Sequence, residues 1–130
     1  KATGIDTNYD KIHFMTSQVK GVQFYGFIPF KPETYDNIIC IEVLEHLESP
    51  ENMIATISQH LNVGGRVVIA TPDYNKKLWH IAENFTPYKE DHITKLNKEL
   101  LEMMCKQNGL FPVKHRYILG CDLVEMFEKR

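Results

Sequence analysis

At 130 residues, with 43% hydrophobic and 25% charged side chains, the chain has the size and make-up of one globular domain with its own core. A formal net charge of −2, with scattered lysines and arginines, gives no reason to expect nucleic acid as a partner. No apolar run is long enough to span a bilayer, and no signal-peptide pattern opens the chain, so neither membrane nor export is expected.

Ala2–Ile5 reads as a short strand ending in Asp6. Asn8 then suits the N-cap of a helix that aligns Ile12, Met15 and Val19, with Gly21 closing it. Val22–Tyr25 is a second strand, and Gly26–Glu33, with Pro29 and Pro32, is a loop. The segment Tyr35–Pro72 is the most informative. Asn37–Ile41 and Arg66–Ala70 read as strands buried on both faces of a parallel sheet. Between them, Ser49-Pro50 starts a helix with Met53, Ile54, Ile57 and Leu61 inward, and Gly64-Gly65 ends it. The link between strand and helix concentrates Glu42, Glu45, His46, Glu48 and Glu51 past a strand's C-terminal end, the edge where open α/β sheets bind ligands.

Downstream, Thr71-Pro72-Asp73 is a turn, Asn75–Glu83 a helix, and Thr86–Ile93 an irregular polar stretch. Asn97 caps a helix through Gln107, with Leu100, Leu101 and Met104 inward and Gly109 at its end. Phe111–Leu119 and Leu123–Phe127 form a hairpin. The fold class is therefore α/β, mostly parallel with a C-terminal antiparallel hairpin, in a single domain over residues 1–130. Cys40, Cys105 and Cys121 are odd in number, lack a C-x-x-C and have apolar neighbours. They read as buried reduced thiols of a cytoplasmic protein.

Taken together, GID at Gly4–Asp6, YDNIICIEVLEHL at Tyr35–Leu47, LNVGGRVVIATP at Leu61–Pro72 and NKELLEMMCKQNGL at Asn97–Leu110 resemble a class I S-adenosylmethionine-dependent methyltransferase of the ubiquinone/menaquinone-biosynthesis type. The resemblance implies a three-layer Rossmann-like methyltransferase fold, S-adenosylmethionine as cofactor and a small molecule as methyl acceptor. Asp6 matches the acid that accepts hydrogen bonds from both ribose hydroxyls, a task suited to a two-oxygen acceptor; its other reading is a helix-start aspartate. Ile41, Glu42 and Val43 match the segment lining the methionine part of the cofactor. His46 follows at the pocket mouth, as a general base on an acceptor hydroxyl or as a packing residue. Phe27 stands where the family has an acidic residue near the adenine, and packs on the adenine or onto the core.

The family's first strand and glycine-rich turn have no counterpart here. In the family sheet that strand lies between those ending at Asp6 and Ile41, and removing it opens a gap of roughly 10 Å. The expectation is an N-terminally incomplete domain. Direct pairing of the two flanking strands, or a second chain filling the slot as in a homodimer, are the other two routes. Two further functional readings stand beside the first. Glu42-x-x-Glu45-His46 with His92 resembles the metal-binding pattern of RNA 3′-terminal 2′-O-methyltransferases, although Glu45 and Glu48 also suit a solvated face. A catalytically inactive methyltransferase-fold scaffold is the third. The acceptor is expected to be chosen by residues 72–93, where Tyr74, Trp79, His80 and Tyr88 line a pocket or cover the sheet edge; Asp73 has no evident partner.

Overall fold

The computed structural model describes residues 2–28, 33–84 and 92–130. The chain divides into two compact units, Lys1–Glu33 and Thr34–Arg130. In the first, β1 (Ala2–Ile5) and β2 (Val22–Tyr25) pair in parallel around α1 (Tyr9–Gln18). Asn8 caps α1 as expected, its side chain accepting from the Lys11 N–H. Ile12 and Val19 are half-buried while Met15 is exposed.

The second unit carries a four-stranded sheet in the order β3-β4-β6-β5, built from β3 (Tyr35–Ile41), β4 (Leu61–Pro72), β5 (Leu110–Ile118) and β6 (Asp122–Lys129). β3 and β4 are parallel, and β6 runs antiparallel to both β4 and β5. Three strands thus share one direction and only β6 opposes them, as a mostly parallel sheet with a terminal hairpin requires. The hairpin turns at Leu119 and Gly120, with φ of 50° and 75°.

α2 (Pro50–His60) and α4 (Lys98–Gln107) cover one face of this sheet. Ile54 and Ile57 from α2, and Leu101, Met104 and Cys105 from α4, pack on Cys40, Val67, Ile69, Leu123 and Phe127. Asn97 caps α4 by accepting from the Leu100 N–H. Ser49 occupies the N-cap of α2 without a side-chain cap bond; Pro50 at the first position already removes one orphan donor. β3 is not buried on both faces: Cys40 points into the core while Ile39 and Ile41 are exposed. α2 and α4 both lie on the Cys40 side, so strand alternation leaves the other face outside this core.

Gly64-Gly65 does not end the helix. α2 stops at His60, and Leu61 is already the first residue of β4. Tyr35 pairs Leu61 while Asn37 pairs Arg66, so Asn62–Gly65 bulge out of the ladder. Gly64 takes a φ of 78°, and a Cβ on Gly65 would lie 2.8 Å from the Asn62 carbonyl oxygen. Both glycines shape this bulge. All three cysteines are buried and free, as expected, and among the described residues no helix is long and apolar enough to cross a membrane.

Candidate active site

β3 delivers the chain to Glu42, whose φ of 52° is unusual for a non-glycine residue. Its N–H donates to the Ala70 carbonyl at 3.0 Å, so β4 holds this left-handed residue in place. The turn redirects the chain into a 3-10 turn, Leu44–His46, and drives Leu44 and Glu45 inward. Glu45 is not on a solvated face: it is 0% exposed, whereas Glu48 is exposed. Oε2 of Glu45 accepts from Thr71 Oγ1 at 3.1 Å, while Oε1 is buried and has no hydrogen-bond partner among the described residues.

Neighbouring groups register that buried carboxylate. Burial and then Glu45 push Cys40 up to about 11. Burial, followed by Glu45 and then Asp122, pushes Glu42 up to about 8, although Glu42 reaches solvent. Burial and then Glu45 also raise Asp122, which sits opposite Pro72 across the β4–β6 ladder. Burial and the Glu45 charge thus favour the protonated forms of Glu42 and Asp122.

His46 places its Nε2 3.8 Å from Oε1 of Glu45. His92 comes from far along the chain and is brought in by backbone bonds. The N–H groups of Ile93 and Thr94 both donate to the Glu45 carbonyl, at 2.8 and 3.0 Å, and the Thr94 hydroxyl donates to the Leu47 carbonyl. The two imidazoles then meet edge to face with centroids 4.9 Å apart. One donor atom each from Glu45, His46 and His92 lies within 4.8 Å of the others. A divalent first-row ion about 2.1 Å from each ligand needs donors a little closer than this, within reach of small side-chain rotations.

Tyr74 and Trp79 close the side of this cluster. They are buried together with Cys121 at the start of α3 (Lys77–Glu83), and the Trp79 ring stacks on His92 at 5.5 Å and 9°. Both rings border the cluster through His92. His80 is exposed, and Tyr88 lies outside the described residues. Asp73, expected to be without a partner, has two: Tyr117 Oη donates to Oδ2 at 2.7 Å and the Asn75 N–H to Oδ1 at 2.9 Å. Thr71, Tyr74 and the Asp73–Tyr117 pair carried no sequence signal as a set, since only folding brings them together.

In the first unit, Asp6 ends β1 with a partly exposed carboxylate. Oδ1 accepts from the Asn8 N–H at 2.8 Å, so the helix-start role is real, and acceptor capacity remains on Oδ2. Phe27 is 65% exposed and therefore not tucked onto a core; its ring is 6.4 Å from that of Tyr25. Ile41 is exposed at the end of β3 and Val43 packs partly against the core of the second unit.

Comparison with known proteins supplies the family. A family model described as "Methyltransferase domain" matches residues 1–115. A ubiquinone biosynthesis O-methyltransferase of Photorhabdus laumondii is 37% identical over 51 residues, which are 39% of this chain and 21% of that protein. The chain thus spans well under half the length of the curated relatives it matches. In fold, it resembles a protein of Pyrococcus horikoshii with a TM-score of 0.79 at 16% identity, covering 100% of this chain and 72% of that one. The N-methyltransferase NodS of Bradyrhizobium japonicum, solved in complex with S-adenosyl-L-homocysteine, gives 0.70 at 18% identity, with 98% and 65% covered. The fold is the Rossmann-like α/β fold of these structures, and the chain belongs to the class I S-adenosylmethionine-dependent methyltransferases through its methyltransferase domain.

Proposed function

We propose that this chain serves methyl transfer from S-adenosylmethionine to a small-molecule acceptor, with an oxygen nucleophile the class that suits its cluster best. The observation that carries the reading is the buried Glu45 carboxylate past the C-terminal end of β3, whose Oε1 has no hydrogen bond among the described residues and lies 3.8 Å from His46 Nε2, with a donor atom of His92 also within 4.8 Å of the pair. Buried polar atoms without partners call for an explanation, and a functional ligand is one. The O-methyltransferase names of the sequence relatives agree with an oxygen acceptor.

The residues present fit the cofactor by their chemistry. Within the first unit, the partly exposed Asp6 carboxylate has the chemistry a ribose diol calls for, and the exposed Phe27 ring that of a stacking partner for adenine. Within the second unit, Ile41, Glu42 and Val43 are the residues we assign to the methionine portion, beside the buried Glu45 carboxylate. When bound, the cofactor supplies an activated methyl group whose bonding electrons leave with sulfur. What the chain itself adds is positioning and proton removal: His46 takes the acceptor hydroxyl's proton, and Glu45 steadies the imidazolium.

A cation-assisted form of the same reading has its own support. Glu45, His46 and His92 supply one carboxylate and two imidazoles, with Glu42 as a further acid nearby. There the ion would bind the acceptor oxygen and lower the pKa of its proton. An RNA end as acceptor gains nothing from a chain with a net charge of −2.

The test is calorimetry of the intact natural protein with S-adenosylmethionine and S-adenosylhomocysteine, followed by transfer assays with labelled methyl donor and phenolic acceptors. A folded protein that takes up neither nucleoside would overturn the proposal in favour of a scaffold. Turnover undiminished after exhaustive chelation would leave His46 as sole base and remove the cation.

A further inference from the structure

Glu125 is a buried acid that methyl transfer does not use. It alternates with Leu123 and Phe127 on the core face of β6, is 1% exposed, and lies beneath α4. A carboxylate at that depth needs a cation of its own. Lys98 and Lys106 act on it from α4, yet both are committed to Glu102: Lys98 donates to Oε1 of Glu102, and Lys106 to Oε2 at 3.0 Å. Lys98 Nζ stands 4.0 Å from Oε1 of Glu125, and Oε2 of Glu125 has no hydrogen bond among the described residues. Glu102 is therefore the ionised acid of the two, lowered to about 2 by the hydrogen bonds from Lys98 and then Lys106. Glu125 moves the other way: burial first, and then the Glu102 charge, raise it to about 7 against the pull of Lys98 and Lys106. Its other neighbours are Cys105 on α4 and Tyr117 on β5, both pushed upward mainly by burial. In the ladder it stands opposite Ile69 of β4 and the exposed His115 of β5, while Glu99 acts on Lys98 from the same helix.

Residues 93–97 join α4 to His92. The Ile93 and Thr94 N–H groups donate to the Glu45 carbonyl, the Leu96 carbonyl accepts from the Tyr74 N–H, and Asn97 caps α4. We propose that neutral Glu125 is a pH-sensitive tie between β6 and α4, and that loss of its proton loosens the first turns of α4 together with the segment leading back to His92. An ionised Glu125 either draws Lys98 away from Glu102 or stays buried with one oxygen unmet, and parting α4 from β6 lets water solvate it. The direction follows from linkage. The closed contact holds the Glu125 proton more tightly than water does, so its contribution is complete below about 4.3 and is lost as the pH climbs to about 7. The tie stands apart from methyl transfer, and either can fail without the other.

Carboxyl carbon-13 NMR of glutamate-labelled protein follows the titrations one by one, and Glu125→Gln identifies the Glu125 resonance. Amide hydrogen exchange, corrected for its intrinsic pH dependence, reads the contact itself. In the wild type, Glu125 should titrate near neutrality. Protection of the α4 amides, relative to those of α2, should fall about tenfold between pH 6 and 8, and the Ile93 and Thr94 amides should follow. Glu125→Gln stays neutral and should abolish that fall, which separates it from any effect of His92 or His115. Glu102→Gln removes the like charge and frees Lys98, so Glu125 should titrate lower. A Glu125 carboxyl that titrates in the ordinary range near 4.3 overturns the proposal, as does an α4 fall that persists in Glu125→Gln. Protection at Ile93 and Thr94 that stays level while α4 responds overturns its reach to His92. Should Glu125→Gln fail to fold, the wild-type titration and its shift in Glu102→Gln decide the matter.

Discussion

The Thr71 hydroxyl donates to Oε2 of Glu45 across 3.1 Å, and both residues are wholly shielded from solvent. β4 thereby anchors the carboxylate that the turn after β3 has driven inward. Thr71→Val keeps the shape and removes the donor, leaving Oε2 of a buried carboxylate without this bond. The expected loss of stability is about 1–3 kcal/mol, read from urea unfolding. Thr71→Ser should recover most of it, and equal losses in the two variants would show that the bond is not what matters.

Tyr117 and Asp73 form the corresponding pair on the β5 side. Tyr117→Phe deprives a nearly inaccessible carboxylate of one of its two donors and should cost roughly 1.5–3 kcal/mol. The pair also has a pH signature. Burial, and then Asp73, push the Tyr117 phenol well above its ordinary range, so the folded state holds this proton more tightly than the unfolded chain. Its contribution is complete below the unfolded phenol value near 10 and is lost as the pH rises toward the folded one. Unfolding measured between pH 9 and 11 should show a steeper decline for the wild type than for Tyr117→Phe.

Glu42 titrates in the opposite sense to a salt-bridged acid. Burial and then the Glu45 charge raise it to about 8, so the folded state keeps a proton that the unfolded chain has already released. Stability then falls as the pH climbs from the unfolded glutamate value near 4.3 to about 8. Glu42→Gln, which cannot ionise, should melt close to the wild type at pH 4.5 and above it at pH 8.5. A gap that does not widen between those two pH values would contradict the shared-charge picture of the cluster.

The bulge in β4 yields a purely structural prediction. Gly65→Ala forces a Cβ against the Asn62 and Asp36 carbonyl oxygens, both backbone atoms that move only with the ladder. It should cost about 1–3 kcal/mol. Gly64→Ala meets no neighbour but must adopt a φ near 78°, a strain of about 1–2 kcal/mol. Chemical denaturation of the two variants separates steric from conformational cost.

The readable part of this chain was its local part. The caps at Asn8 and Asn97 lie within three residues of the N–H groups they serve, so identity and spacing were enough to find them. The glycine pair was visible but misassigned, because helix stop and strand bulge use the same left-handed backbone and only the partner strand distinguishes them. Glu45 illustrates the limit on the site. An acid in E-x-x-E-H looks solvated until the left-handed turn at Glu42 points it inward, and that turn is held by a carbonyl on another strand.

The amino-acid order by itself determined the alternation of strands and helices, the family, and Glu42, Glu45, His46 and His92 as candidate chemistry. Those features rest on periodicity, caps and short motifs, all carried by neighbours along the chain. The tertiary structure alone decided that Glu45 is buried with one oxygen lacking a hydrogen bond among the described residues, that Thr71 holds the other, and that Tyr74 and Trp79 contact His92. These contacts join residues 13 to 26 positions apart in sequence. Spacing within a strand or helix cannot reveal such neighbours, because sheet register and loop closure set them.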